Sequence, residues 1–373
     1  MRTGFADLPL HAGKCPPWLF VRMKRLGAAI TAAIVYEHGE QEFLRRISNP
    51  FFFQSLGCVL AFDWHSSGLT TTVCGALKEG LSLEEHGITV AGGKGKTSRK
   101  TPSEIVEKAE PAGLESDSLV RASRLAAKVD SAAVQDGYQL YHHCLFFSSE
   151  GDWAVVQQGL NAPENAGLDW LGAIIGGKAR RYHWLSDGLE SFVNEPHAAI
   201  CADENKDGAV LNLVATESTE TRKASVDLVN DGTLLRESGQ RTLAECDAPA
   251  KVLVMQREHL VDTRQYNALA NAQELYPENY EQLLLCPGIG PKTVRALALT
   301  SELVYGTEAS WKDPARYSYS HGGKDRTPFP VDKDGMYKTA QFLEEAVEEA
   351  KLEKKEKLEA LRRLKDFLPS ETN

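Results

Sequence analysis

Residues 138–160 read YQLYHHCLFFSSEGDWAVVQQGL, two runs rich in aromatic and β-branched residues on either side of the turn-forming SSEGD. That pattern predicts a β-hairpin. A turn that pairs Phe147 with Trp153 sets His143 opposite Gln157 and His142 opposite Gln158, because register propagates along an antiparallel ladder. Successive side chains alternate between faces, so each face carries one His–Gln pair. With a single face buried, one pair points inward and needs polar partners. Asp63, His65, Asp130 and Asp136 are the partners the sequence offers.

Working outward, the Pro16–Pro17 pair opens a helix whose Leu19, Met23, Leu26, Ile30 and Ile34 recur at helical spacing. A turn at Asn49–Pro50 leads into a heavily buried run with Phe51, Phe52, Phe53, Leu56 and Phe62. Residues 87–106, GITVAGGKGKTSRKTPSEIV, read as a strand, a glycine–lysine loop and a helix whose Thr101-Pro102-Ser103-Glu104 start fits a capping box. Between Asp117 and Gln135, Leu119, Ala122, Ala126, Val129 and Ala133 mark the buried face of a further helix. Strands and helices are interspersed without regular βαβ alternation, which makes the fold class α+β.

From Asp262 the pattern is helical only. The expected organisation is an α+β core domain over 1–260, a helical region over 261–330 and a charged helix over 331–373. That last helix carries Met336, Ala340, Leu343, Val347, Leu361 and Leu364 on one stripe. The stripe either joins two copies of the chain as a homo-oligomer or packs on its own domain.

The helical region contains LLLCPGIGPKTVRALAL, residues 283–299. It resembles the turn of a helix-hairpin-helix module. Gly288 and Gly290 permit a tight turn and close approach, Ile289 packs the two helices, and Lys292 and Thr293 begin a helix whose N-terminal N–H groups suit a phosphate. Arg295 adds charge. Such a turn holds the DNA backbone without sequence preference. Lys94, Lys96 and Arg99 of the glycine–lysine loop and the stripe Arg121, Arg124 and Lys128 extend this basic surface, with KARRYHW (178–184) beside them.

A chain of 373 residues with 42 basic and 52 acidic side chains has a formal charge of -10, which argues against nucleic acid only if the charge is even. It is not. Glu190 to Ala250 holds twelve acids and five bases, whereas Gln282 to Ser301 holds two bases and no acid. Exposed charges are screened beyond about 8 Å, so the local patch governs. The seven cysteines are scattered and none stands in a two-residue pair, which points to a reducing, cytoplasmic compartment. No run approaches the roughly 20 apolar residues of a membrane helix.

Asp63, His65, Asp130, Asp136, His142, His143 and Gln157 form the pool for acid–base work. Within it Asp130, Asp136, His142 and His143 are the candidate ligands of a divalent metal, magnesium, manganese or zinc, that would activate water for attack on a phosphodiester. The residues support two readings. One is a metal-dependent nuclease in DNA repair or processing. The other is a non-enzymatic DNA-binding or scaffolding protein in which the His–Gln–Asp cluster is structural.

Several longer blocks resemble one family. They are TGFADLPLHAGKCPPWLFVRM (3–23), GCVLAFDWHSSGLTTTVCGALKEGL (57–81), VAGGKGKTSRKTP (90–102), AAKVDSAAVQDGYQLYHH (126–143), WAVVQQGLN (153–161), RRYHWLS (180–186) and YSHGGKDRTPFPVD (319–332). The chain is similar through them to domain-of-unknown-function family 763. The resemblance implies a prokaryotic cytosolic protein with a helix-hairpin-helix toward the C-terminal side, at Pro287 to Lys292, and it implies no active site.

Overall fold

The computed structural model describes residues 15–62, 67–161, 177–202, 204–232, 263–316 and 333–367. Four helices come first: α1 (Pro17–His38), α2 (Glu40–Ile47), α3 (Pro50–Val59) and α4 (Gly68–Gly80), then the single turn α5 (Leu83–His86). Pro17 starts α1 where its missing N–H costs nothing, and the Asn49 side chain caps α3 by accepting from the N–H groups of Phe51 and Phe52. Strand β1 (Ile88–Lys94) leads through a 3-10 turn, Gly95–Lys100, into α6 (Thr101–Ala109) and α7 (Ser116–Lys128). After a two-residue strand β2 (Val134–Gln135) come β3 (Gln139–Ser148), β4 (Trp153–Asn161), β5 (Lys178–Leu185), β6 (Ala199–Ala202) and the short β7 (Leu211–Asn212). The rest is helical: α8 (Thr219–Asn230), α9 (Thr263–Leu275), α10 (Tyr280–Leu285), α11 (Pro291–Tyr305), α12 (Lys333–Glu349) and α13 (Lys354–Phe367).

The α+β class holds: the main sheet is antiparallel and five-stranded in the order β1-β3-β4-β5-β6. Its central hairpin has the register expected, Phe147 opposite Trp153, His143 opposite Gln157 and His142 opposite Gln158. Both faces of the sheet are buried, not one. Cys144, Phe146, Ala154 and Val156 pack on one side against α1 to α4, α12 and α13. Leu145, Phe147, Val155 and Trp184 pack on the other against α6 to α11. Both His–Gln pairs are therefore interior, on opposite faces. A sheet covered on both sides also accounts for the runs CLFF and WAVV, which are apolar without alternating.

Local details differ from the sequence reading. The helix expected to reach Gln135 ends at Lys128 and widens into one π turn, Val129–Ala133, which carries Asp130 fully inside. The capping box at Thr101 does not form. Thr101 Oγ1 donates to the Ser98 carbonyl at 2.7 Å, and Glu104 instead accepts the Gly92 N–H at 2.7 Å and the Lys78 ammonium at 2.6 Å. Those bonds fix the end of β1, where Gly92 has φ of 105° and a Cβ would stand 2.2 Å from the His143 carbonyl oxygen. Only glycine fits there.

The boundary expected near 260 falls among residues outside those described, and the helices beyond it share one apolar cluster with the sheet, through Leu269, Leu283, Ile289, Val294 and Leu297. The C-terminal stripe packs on its own chain: Leu343, Val347 and Leu364 are buried against α1 and α3, and Phe342 meets Phe52 edge-on with the Arg46 guanidinium over its ring.

Candidate functional site

A cleft of about 300 Å³ opens between the 3-10 turn, α7 and the near end of β3. Arg99, Arg124 and Ser131 line it and are exposed; Ser123, Tyr141 and His143 line it deeper in. Its floor is a chain of hydrogen bonds with one direction. The Gln157 amide turns its nitrogen to Asp130, donating to Oδ2 at 2.5 Å. The Gln157 oxygen then faces His143 Nδ1 at 2.8 Å, which puts the imidazole proton on Nδ1. Nε2 is left with its lone pair toward Ser123 Oγ, also at 2.8 Å. Burial pushes the His143 pKa down, against the upward pull of the Gln157 oxygen, and holds the ring neutral. Trp184 Nε1 donates to Asp130 Oδ2 at 2.9 Å and His197 Nε2 to Oδ1 at 2.5 Å, so both carboxylate oxygens are engaged.

Of the residues expected to form the acid–base pool, Asp130, His143 and Gln157 are thus brought together. Asp63 and His65 lie outside the described residues. Asp136 belongs to a different buried set: it accepts from Tyr182 Oη at 2.6 Å and from Arg180 at 3.0 Å, and Arg180 makes a second pairing with Asp313 at 2.7 Å. Burial raises the Asp136 carboxyl while Arg180 and Tyr182 oppose that rise. His142 faces the other side of the sheet. Asp130, Asp136, His142 and His143 therefore do not form one ligand set, a correction to the sequence reading. Two histidines adjacent on a strand must point apart.

The group among the described residues that could hold a metal is Cys74, His142 and Cys144. Cys74 comes from α4, and His142 and Cys144 stand two apart on β3 and so share a face.

The basic surface is also redrawn. Arg180 and Arg181, read as surface charges, are fully buried, and Arg181 bonds His183, Gln54 and Thr70. Lys128 donates to the Ile289 carbonyl, Arg295 to Gln135 at 2.7 Å, and Arg121 pairs with Glu281. Ile289 and Thr293 are buried. Gly288, Lys292, Lys94, Lys96, Arg99 and Arg124 remain exposed and Gly290 half-buried.

Sequence reasoning missed Ser123, Tyr182, Trp184, His197, Cys74 and Cys144. Two of these had a signal. Ser123 is a hydroxyl beside the apolar stripe of its helix, and Cys144 stands two residues after His142 on one strand face. His197 and Cys74 arrive from elements whose packing no local pattern announces.

The blocks that build this site, from the cleft to the hairpin, lie inside a single family match covering residues 4–331, described as Protein of unknown function (DUF763). The chain belongs to the DUF763 family. No curated protein and no solved structure matches it. The DUF763 match takes in every cleft residue and the Pro287–Lys292 turn, and it ends before α12.

Proposed function

We propose that this protein grips the phosphate backbone of DNA at the Gly288–Lys292 turn and hydrolyses a phosphodiester in the cleft. The observation that carries the reading is Gly290. Its φ of -142° is open to any residue, and a Cβ there would come no closer than 4.0 Å to its nearest neighbour, so the fold itself does not call for glycine. A missing side chain beside the N-terminus of α11 leaves room for a phosphate oxygen to reach the unpaired first-turn N–H groups. The turn is held ready by Lys128 on the Ile289 carbonyl and by Gln135 on the Pro291 carbonyl at 2.8 Å. Arg124, one helical turn before Lys128 on α7, lines the cleft, so one element supports both the grip and the chemistry.

In the cleft, Ser123 Oγ attacks phosphorus as its proton passes to His143 Nε2, and the imidazolium returns that proton to the departing sugar oxygen. Water then attacks phosphorus as its proton passes to His143, the bond from phosphorus to Ser123 Oγ breaks, and the imidazolium returns the proton to Oγ. Gln157 keeps the required tautomer, Asp130 holds Gln157, and Arg99 and Arg124 meet the phosphoryl charge. Magnesium, manganese or zinc, the metals expected from the sequence, find no carboxylate set among the described residues of the cleft, so no step runs through them. A second reading, a non-enzymatic DNA-binding or scaffolding protein, is favoured by the saturation of Asp130, since a polar cluster that is only structural has its bonds complete.

Purified protein is assayed on labelled single-stranded, double-stranded and branched DNA, with magnesium, manganese, zinc or a chelator. Cleavage should appear and should fall about 100-fold or more in Ser123→Ala and His143→Ala. Gly290→Ala and Lys292→Glu should weaken DNA binding at unchanged melting temperature. Binding without cleavage on any substrate moves the assignment to the scaffolding reading, and unchanged affinity in both turn variants ends the DNA reading altogether.

A further inference from the structure

On the sheet face opposite the cleft, the sulfurs of Cys74 and Cys144 and a ring nitrogen of His142 lie within 4.8 Å of one another. We infer that Cys74, His142 and Cys144 hold a structural zinc ion that ties α4 to β3. All three side chains are buried, Cys74 and Cys144 completely and His142 at 1% exposure. Neither ring nitrogen of His142 meets an oxygen or nitrogen partner, and the Cys144 sulfur lies beside the ring. A buried imidazole with only a sulfur for company is costly, and a metal is the partner that this donor set suits.

A fourth donor is at hand. Gln158 is cross-strand from His142, completely buried, and its Oε1 also lacks a partner. Its amide nitrogen is anchored on the Ser67 carbonyl at 3.0 Å and the Tyr141 hydroxyl at 2.5 Å, which fixes where Oε1 points. Tetrahedral zinc, with sulfur at about 2.3 Å and nitrogen at about 2.0 Å, spaces its donors roughly 3.5 Å apart, a separation small side-chain rotations reach.

The chemistry selects the metal. Thiolate and imidazole favour zinc, whereas magnesium and manganese take oxygen donors. With all three ligands buried, the site is closed, as structural zinc sites are.

Full-length protein purified under reductant should contain close to one zinc per chain by elemental analysis. Cobalt exchanged into it should give thiolate-to-cobalt charge-transfer absorption, and chelator should lower the melting temperature. Cys74→Ser and Cys144→Ser should lose both the metal and the band, and Cys286→Ser should keep them. Should the serine variants fail to fold, His142→Cys, which preserves three donors, should retain zinc, and the wild-type cobalt spectrum reads the sulfurs by itself. No metal after anaerobic reconstitution, a metal other than zinc, or a Cys74–Cys144 disulfide in the reduced preparation would overturn the assignment.

Discussion

His183 shows how far one residue can depart from its sequence reading. RRYHW suggests a basic surface, yet each of its side chains alternates into one of two covered faces. His183 accepts the Arg181 Nε–H at Nε2, 2.8 Å away, and faces the Ile47 carbonyl through Nδ1 at 3.1 Å, with Phe53 edge-on at 5.7 Å. Burial first, and Arg181 second, push its pKa well below the ordinary value of 6.5. The unfolded chain therefore takes up a proton below about pH 6.5 that the folded chain refuses, and stability is lost as pH falls through that value. The slope from this group is up to about 1.4 kcal/mol per pH unit. Urea denaturation between about pH 5 and about pH 7 should show wild type losing stability more steeply than His183→Gln, and parallel curves would refute this account. The same residues mark what the sequence could reveal. Pairing of His142 with Gln158 and His143 with Gln157 was legible because a short turn and strand alternation fix register. That both faces are buried was not, because it depends on helices distant in sequence.

At the scale of the element, the break CPGIGP was legible for the same reason: Pro and Gly restrict or free the backbone locally, whatever surrounds them. Its two glycines have different duties. Gly288 has φ of 86°, and a Cβ would stand 2.8 Å from the Ala268 Cβ of α9. Gly288→Ala should then destabilise by about 1–2 kcal/mol from the left-handed backbone alone, with the contact against α9 added to it. Gly290→Ala should stay within about 0.5 kcal/mol of wild type, as an unstrained substitution away from packed neighbours. Chemical denaturation of both variants measures the difference, and equal stabilities would show that the turn is not built as described. The π turn after Lys128 was invisible to the same reasoning. A continuous 3.6-residue pattern through Val129 and Ala133 suits a helix equally well, and the extra residue that swings Asp130 inward is paid for by Gln157, Trp184 and His197, which the helix's own sequence does not contain.

At the scale of the whole molecule, the acidic balance and the basic turn coexist because charge is distributed and apolar packing is shared. The described residues form two apolar clusters, one on each sheet face, and α12 and α13 close the one that contains Phe52 and Leu56. Those helices follow the family match, which stops at 331, and the charged pattern of their sequence fits a partner helix as well as an internal one. Packing separates the two cases. Burial of Phe342, Leu343, Val347 and Leu364, with Arg363 Nε donating to the Val59 carbonyl at 2.8 Å, attaches them to α1 and α3 of their own chain. At about 1.5–3 kcal/mol for each large apolar side chain, these contacts contribute roughly 6–12 kcal/mol, comparable to the net stability of an entire domain. Truncation after residue 332 should accordingly leave a protein that aggregates or melts far below wild type, because the removed helices expose Phe52 and its neighbours to water. Size-exclusion chromatography and thermal unfolding of the truncated chain decide the matter. A truncated protein that stays folded and changes only from dimer to monomer would mean that the stripe serves a second copy, and that the contacts with α1 and α3 are weaker than their buried area implies.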